Sequence, residues 1–93
     1  MTIQSFRDAD TEALYRTDRN KRWTNVAKVA LRKLDMLNAA AVLNDLRIPP
    51  ANRLEALRGD GAGQHSIRIN DQWRVCFCWT EAGPADVEIT DYH

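Results

Sequence analysis

The chain has 93 residues, of which 44% are apolar and 28% charged. That makes one small globular domain and excludes a disordered segment. Its 13 basic and 13 acidic side chains cancel, so the strongly basic total of a general nucleic-acid binder is absent and any such role must rest on local distribution.

That distribution is uneven: eight of the 13 basic residues fall between Arg7 and Lys33. At the start of the chain, polar and apolar residues alternate around Ile3 and Phe6, which predicts a short strand over 3–5. Asp8 or Asp10 can cap a helix over 11–16, with Leu14 and Tyr15 as its apolar contacts. Residues 17–22 form a basic loop that brings Arg16, Arg19, Lys21 and Arg22 together. Two readings of it stand open, a solvated turn and a phosphate contact.

The clearest helix runs over 24–41, with Thr24 as N-cap. Val26, Ala30, Leu34, Leu37 and Ala41 recur at spacings of three and four, so they face the core. Lys28, Arg32, Lys33 and Asp35 are expected on the wet side, where the basic residues are secondary candidates for binding. A helix of about 18 residues spans roughly 27 Å, the width of a small sheet. Ile48-Pro49-Pro50 then interrupts regular structure, because neither proline can donate a backbone bond. Residues 53–58 alternate weakly and are a candidate strand. The glycine-rich run 59–63 is a turn; it lacks the Lys-Ser/Thr of a phosphate-binding loop.

Residues 64–79, reading QHSIRINDQWRVCFCW, predict a β-hairpin. Ile67 and Ile69 alternate with polar residues, Asn70-Asp71-Gln72 is turn chemistry, and Trp73, Val75, Phe77 and Trp79 share one face of the second strand. Arg68 and Arg74 are then expected on the open face, where two guanidiniums suit phosphate. His65 reads as a strand-edge residue. Cys76 and Cys78 lie two apart on one strand, poorly placed for a disulfide, and two Cys with two distant His are too few for a metal site. Residues 81–84 form a turn, and a last strand over 86–92 places Val87 and Ile89 in the core. With no leader-like segment and no long apolar run, the chain reads as cytoplasmic and soluble, without a membrane role. The fold class is α+β over a single domain, 1–93: two N-terminal helices packed on one face of a mostly antiparallel sheet.

Three motifs carry a resemblance: Arg53-Leu-Glu-Ala-Leu-Arg-Gly-Asp60, the hairpin 64–77, and the terminal Asp91-Tyr92-His93. With the opening 3–6, they are similar to the HigB toxins of the RelE/ParE superfamily of toxin–antitoxin systems. The resemblance implies a small RelE-like domain. It implies an mRNA interferase that cuts messenger RNA in the ribosomal A site and needs no metal or organic cofactor. It also implies a HigA-type helix-turn-helix antitoxin as partner, with operator DNA bound only through that antitoxin.

Carried over residue by residue, His93, Tyr92 and Asp91 match the family's terminal motif, and Arg74 matches the arginine after the aromatic residue of the second hairpin strand. Arg58 stands where many members have Lys. Glu55 stands where some have a second catalytic histidine. Gly61 and Cys78 replace basic residues common in the family.

Metal-free cleavage by the RNA's own 2′-hydroxyl needs a base, cations for the phosphorane and an acid for the leaving 5′-oxygen. The expected roles are Arg74 and Arg58 on the phosphate, Glu55 as base and His93 as acid. Asp91 would orient His93, and Tyr92 would stack on a base or donate to phosphate. Beside the chain's α-carboxylate, His93 would favour its protonated form. Arg68, Arg16, Arg19, Lys21 and Arg22 are the expected RNA-binding residues. Two rivals stand beside this reading. One is a catalytically weakened module that binds a HigA-type antitoxin and tunes repression. The other is a ParE-like inhibitor of DNA gyrase.

Overall fold

The structure, a computed structural model, describes residues 2–17, 22–58 and 63–91. Two helices, α1 (Ala9–Thr17) and α2 (Ala27–Ala39), precede four strands: β1 (Glu55–Ala56), β2 (Gln64–Arg68), β3 (Trp73–Thr80) and β4 (Gly83–Asp91). The strands form one antiparallel sheet in the order β1-β2-β3-β4. Both helices pack against β4, and α2 also packs against β3. The α+β arrangement expected from the sequence is the one observed.

Asp8 caps α1 by accepting a hydrogen bond from the Thr11 amide at 3.0 Å, which satisfies one orphan donor of the first turn. The helix α2 begins later than expected. Trp23 is buried, and the Val26 amide bonds back to the Trp23 carbonyl at 2.9 Å. The chain therefore turns through Thr24 and Asn25 before the helix starts at Ala27, so Thr24 is not its cap. Ala30, Leu34 and Leu37 are buried as the spacing requires. Ala40, not Ala41, completes the buried side, because the backbone is already extended at Ala40. Lys33 is also buried, at 7% exposure, against the expectation of a wet position. It falls on the same stripe as Ala30, Leu34 and Leu37.

After α2, a 3-10 turn covers Leu43–Arg47, and the Asp45 carboxylate accepts from the Ala41 and Val42 amides at 2.9 and 3.2 Å. A second short turn, Pro50–Asn52, leads to Arg53, whose φ of 46° is left-handed. The hairpin β2–β3 is closed by Asn70, whose side-chain oxygen accepts from the amides of Gln72 and Trp73, each at 2.8 Å. This is the local bonding that makes Asn a turn residue. Between β3 and β4, Thr80 Oγ1 accepts from the amides of Ala82 and Gly83 and donates to the Gly83 carbonyl at 2.6 Å. Gly83 has φ 132°, a conformation that favours glycine.

The predicted N-terminal strand reduces to a parallel bridge between Phe6 and Val87. The Gln4 amide bonds to the Pro84 carbonyl, the Arg7 amide to the Val87 carbonyl, and the Val87 amide to the Ser5 carbonyl. Regular pairing is interrupted because β4 bulges near Asp86, where φ is 52° and the amide bonds to Ser5 Oγ instead. Further along β4, the Ile89 amide donates to the buried Thr11 Oγ1 of α1 at 3.0 Å. The outer edge of β4 is thus covered by local chain, which guards it against pairing with another molecule.

The core lies between helices and sheet: Leu14, Trp23, Leu34, Leu37, Leu46, Ile67, Val75, Phe77, Val87 and Ile89 are all buried. Trp73 and Trp79 pack at its margin, and Trp73 meets Trp23 edge-on at 6.3 Å. No helix among the described residues is long and apolar enough to cross a membrane.

Candidate functional site

The sheet face turned away from the helices is set by strand register. Glu55 pairs with Ser66, Ser66 with Cys76, and Cys76 with Glu88, so these four form a row across all four strands. Beside that row, Arg68 stands opposite Arg74, and Arg74 opposite Thr90. The hairpin therefore does place Arg68 and Arg74 side by side, as alternation predicted.

Arg74, however, is not exposed. It retains only 5% of its accessible surface. Its long side chain lies along the sheet, past Ser66, to β1. Nη1 donates to Ser66 Oγ at 3.4 Å and to the Arg53 carbonyl at 3.5 Å, and Nη2 lies 3.4 Å from Glu55 Oε1. Alternation identifies the face a residue occupies but not how far a guanidinium reaches across it. The result is a cation with fixed direction, held by a carboxylate, a hydroxyl and a carbonyl. Glu55 remains half-exposed, so the pair has one dry and one wet member.

Arg68 is tied to Asp71 in the adjoining turn, through Nη2 and Oδ1. Arg7 lies 3.8 Å from Glu88. Burial pushes the Cys76 thiol up to about 11, with Glu88 adding to the shift and Arg74 and Arg7 opposing it. It stays protonated at neutral pH, which removes it as a nucleophile. Cys78 is a free thiol, like Cys76. Among the described residues, no group of three His, Cys, Asp or Glu side chains is placed to hold a metal ion.

The remaining expected site residues divide into four sets. Arg58 is exposed, two positions beyond β1. Asp91 ends β4 opposite Trp73 and accepts from Gln72 Nε2 at 3.3 Å, so by strand alternation it points to the side away from Arg74. Arg16 and Arg22 lie apart from the Arg74 cluster. Arg16 pairs with Glu12 at 2.7 Å over the Phe6 ring, and Arg22 pairs with Asp10 at 3.3 Å over the Trp23 ring. Arg19, Lys21, Tyr92 and His93 lie outside the described residues. Sequence reasoning missed Ser66 and the Arg53 carbonyl. Ser66 was findable from the hairpin register, since Arg74 on β3 must pass it to reach β1. The carbonyl had no sequence signal.

His65, read as an edge residue, stacks on Phe77 at 6.1 Å with its Nδ1 buried. It contributes packing to the helix side of the sheet.

Residues 4–93 match the family model of the RelE-like toxin of type II toxin–antitoxin system HigB. The chain is 41% identical over 78 residues to Toxin HigB-1 of Vibrio cholerae serotype O1, covering 82% of each protein. It is 48% identical over 54 residues to an uncharacterized protein of Haemophilus influenzae, covering 58% of this chain and 54% of that one. In fold it is similar to a YoeB/ParE toxin from Agrobacterium tumefaciens, with a TM-score of 0.53 at 23% identity over 100% of this chain and 99% of that one. The chain belongs to the HigB family of RelE-like toxins, the toxin components of type II toxin–antitoxin systems.

Proposed function

We propose that the chain is an mRNA endoribonuclease that cuts translated messages on the ribosome and is neutralised by a HigA-type antitoxin. Membership of a toxin–antitoxin family supports a toxic activity and an antitoxin partner. The observation that carries the chemistry is the buried, fully directed Arg74 guanidinium beside the half-exposed Glu55 carboxylate. A phosphodiester laid on this face would meet a preorganised cation, which stabilises developing phosphorane charge at little reorganisation cost.

In the proposed reaction, the RNA 2′-hydroxyl attacks the adjacent phosphorus and the P–O5′ bond breaks, leaving a 2′,3′-cyclic phosphate and a free 5′-hydroxyl. Glu55 accepts the 2′-hydroxyl proton. Arg74 and Arg58 hold the non-bridging oxygens. His93 donates a proton to the leaving 5′-oxygen, with Tyr92 placing the flanking base. Arg68 is proposed to hold a neighbouring phosphate. Phosphate contacts are blind to sequence, so codon selection falls to the ribosome or to base contacts.

One observation favours a second reading, the partner-binding module of reduced activity. Arg7, Arg16, Arg22, Arg68 and Arg74 each already face a carboxylate of this chain, which lowers the positive field offered to RNA. Expression in bacteria lacking the antitoxin separates the readings. Growth arrest with new mRNA 5′ ends, both lost in Arg74→Ala and His93→Ala, supports the nuclease. Arrest without new ends directs the search to gyrase. Normal growth with folded protein that still captures the antitoxin supports the module.

A further inference from the structure

Two of the groups that hold the Arg74 guanidinium come from one short run of chain: the Arg53 carbonyl at 3.5 Å and Glu55 Oε1 at 3.4 Å. That run leads into β1, an edge strand of two residues. Downstream it is secured by the ladder. Glu55 pairs with Ser66, Ala56 with His65, and the Leu57 amide bonds to the Gln64 carbonyl at 2.9 Å. A strand this short does not fix its own approach. Both contacts to Arg74 are long, so a small shift upstream would release them.

The approach is fixed by Asn52, which precedes Arg53 and is fully buried. Its Nδ2 donates to the Leu46 carbonyl at 3.1 Å and the Ile48 carbonyl at 3.5 Å, and lies 3.8 Å from Met36 Sδ on α2. Its Oδ1 accepts from Lys33 Nζ at 2.5 Å. One side chain thus joins α2, the turn Leu43–Arg47 and the turn Pro50–Asn52. Directly after it, Arg53 is left-handed, with φ 46° and ψ 57°. For a residue with a side chain that conformation is costly and persists only where the surroundings enforce it. It sets the direction in which the chain leaves the turn, and so where the Arg53 carbonyl and Glu55 arrive.

Lys33 is buried too, and among the described residues its ammonium faces this neutral amide and no carboxylate. Burying a charge against an amide is a poor source of stability. What such a pair supplies is a fixed geometry, since a buried hydrogen bond tolerates less displacement than apolar packing.

We propose that Asn52, held by Lys33, is a positioning residue for Arg74: it aims the Arg53 carbonyl and the Glu55 carboxylate that hold the guanidinium. The proposal deepens the endoribonuclease reading and rests on it for what the guanidinium acts on; the placement itself does not.

The test follows the Arg74 Nε–H signal of the whole chain by NMR, at a temperature where every variant is folded, and cleavage of mRNA on translating ribosomes. In Lys33→Met and Asn52→Ala, solvent exchange at Arg74 Nε–H should be at least about tenfold faster than in wild type. In the same variants kcat should fall by about tenfold or more with little change in KM. Lys33→Met keeps the Asn52 bonds to the Leu46 and Ile48 carbonyls, and it carries the test should Asn52→Ala not fold. Thr80→Ala is the control, because it loosens the turn at the far end of β3, six residues from Arg74. It should leave both readouts unchanged, whereas a merely structural role for Asn52 would make the variants resemble it. Wild-type exchange at Arg74 in the folded variants would overturn the proposal, as would equal acceleration in Thr80→Ala. Faster exchange with an unchanged kcat would overturn it as well. If exchange follows the expected pattern but the wild type cuts no mRNA, the positioning stands and the nuclease reading falls.

Discussion

Arg74 on β3 reaches past Ser66 on β2 to place its Nη2 3.4 Å from Oε1 of Glu55 on β1. The shortest strand of the sheet thus positions the carboxylate that fixes the most buried arginine among the described residues. Substitutions at the two ends should separate charge from geometry. Arg74→Lys keeps the charge but loses the planar fork, and cleavage on translating ribosomes should fall by about 10²-fold or more. Glu55→Gln keeps the size and removes the proton acceptor, with an expected loss of at least about 10²-fold. Glu55→His should recover part of that activity. Full activity in Glu55→Gln would leave Glu55 as a positioning partner of Arg74 and remove it as the base.

The Thr11 hydroxyl that receives the Ile89 amide closes the edge of β4. Thr11→Val keeps the shape and strands a buried donor. The expected cost is about 1–3 kcal/mol, read from urea unfolding, with faster hydrogen exchange at the Ile89 amide. A cost near zero with unchanged exchange would show that the edge is held by the N-terminal segment alone.

Much of this layout is legible in the sequence, and the misses have physical causes. The helix α2, the hairpin and β4 announce themselves through periodicity, because one face of each must be apolar. The stripe 30-33-34-37 also contains Lys33, whose charge points to solvent although its position on the helix points to the core. The N-terminal segment has strand alternation, yet its pairing depends on where β4 bulges, which is a property of Asp86 and not of residues 3–5. At the site, alternation put Arg68 and Arg74 on one face. It could not reveal that Arg74 lies flat against β1, since that depends on a two-residue strand with little signal of its own.

Trp23 opens the turn before α2 and is buried against Trp73, so it ties the helix layer to the start of β3. Trp23→Ala should cost about 3–5 kcal/mol, measured from the urea midpoint. Trp23→Phe should recover most of it, because the loss comes from volume. Near-wild-type stability for Trp23→Ala would mean that the turn over 23–26 repacks around the cavity.

Cys76 offers a test of the buried sheet face by pH. Its folded thiol titrates at about 11 against an ordinary value of 9.0, chiefly through burial. The folded state therefore holds a proton that the unfolded chain releases between those values. The stability this gives is fully present below pH 9 and is lost as pH rises through 11. Unfolding free energy should decline over that window in the wild type, and less steeply in Cys76→Ala. The same burial predicts that a thiol reagent modifies Cys78, which is partly exposed, before Cys76 under native conditions. Equal rates at the two thiols would mean that the row from Glu55 to Glu88 opens to solvent, and that Arg74 is not held dry.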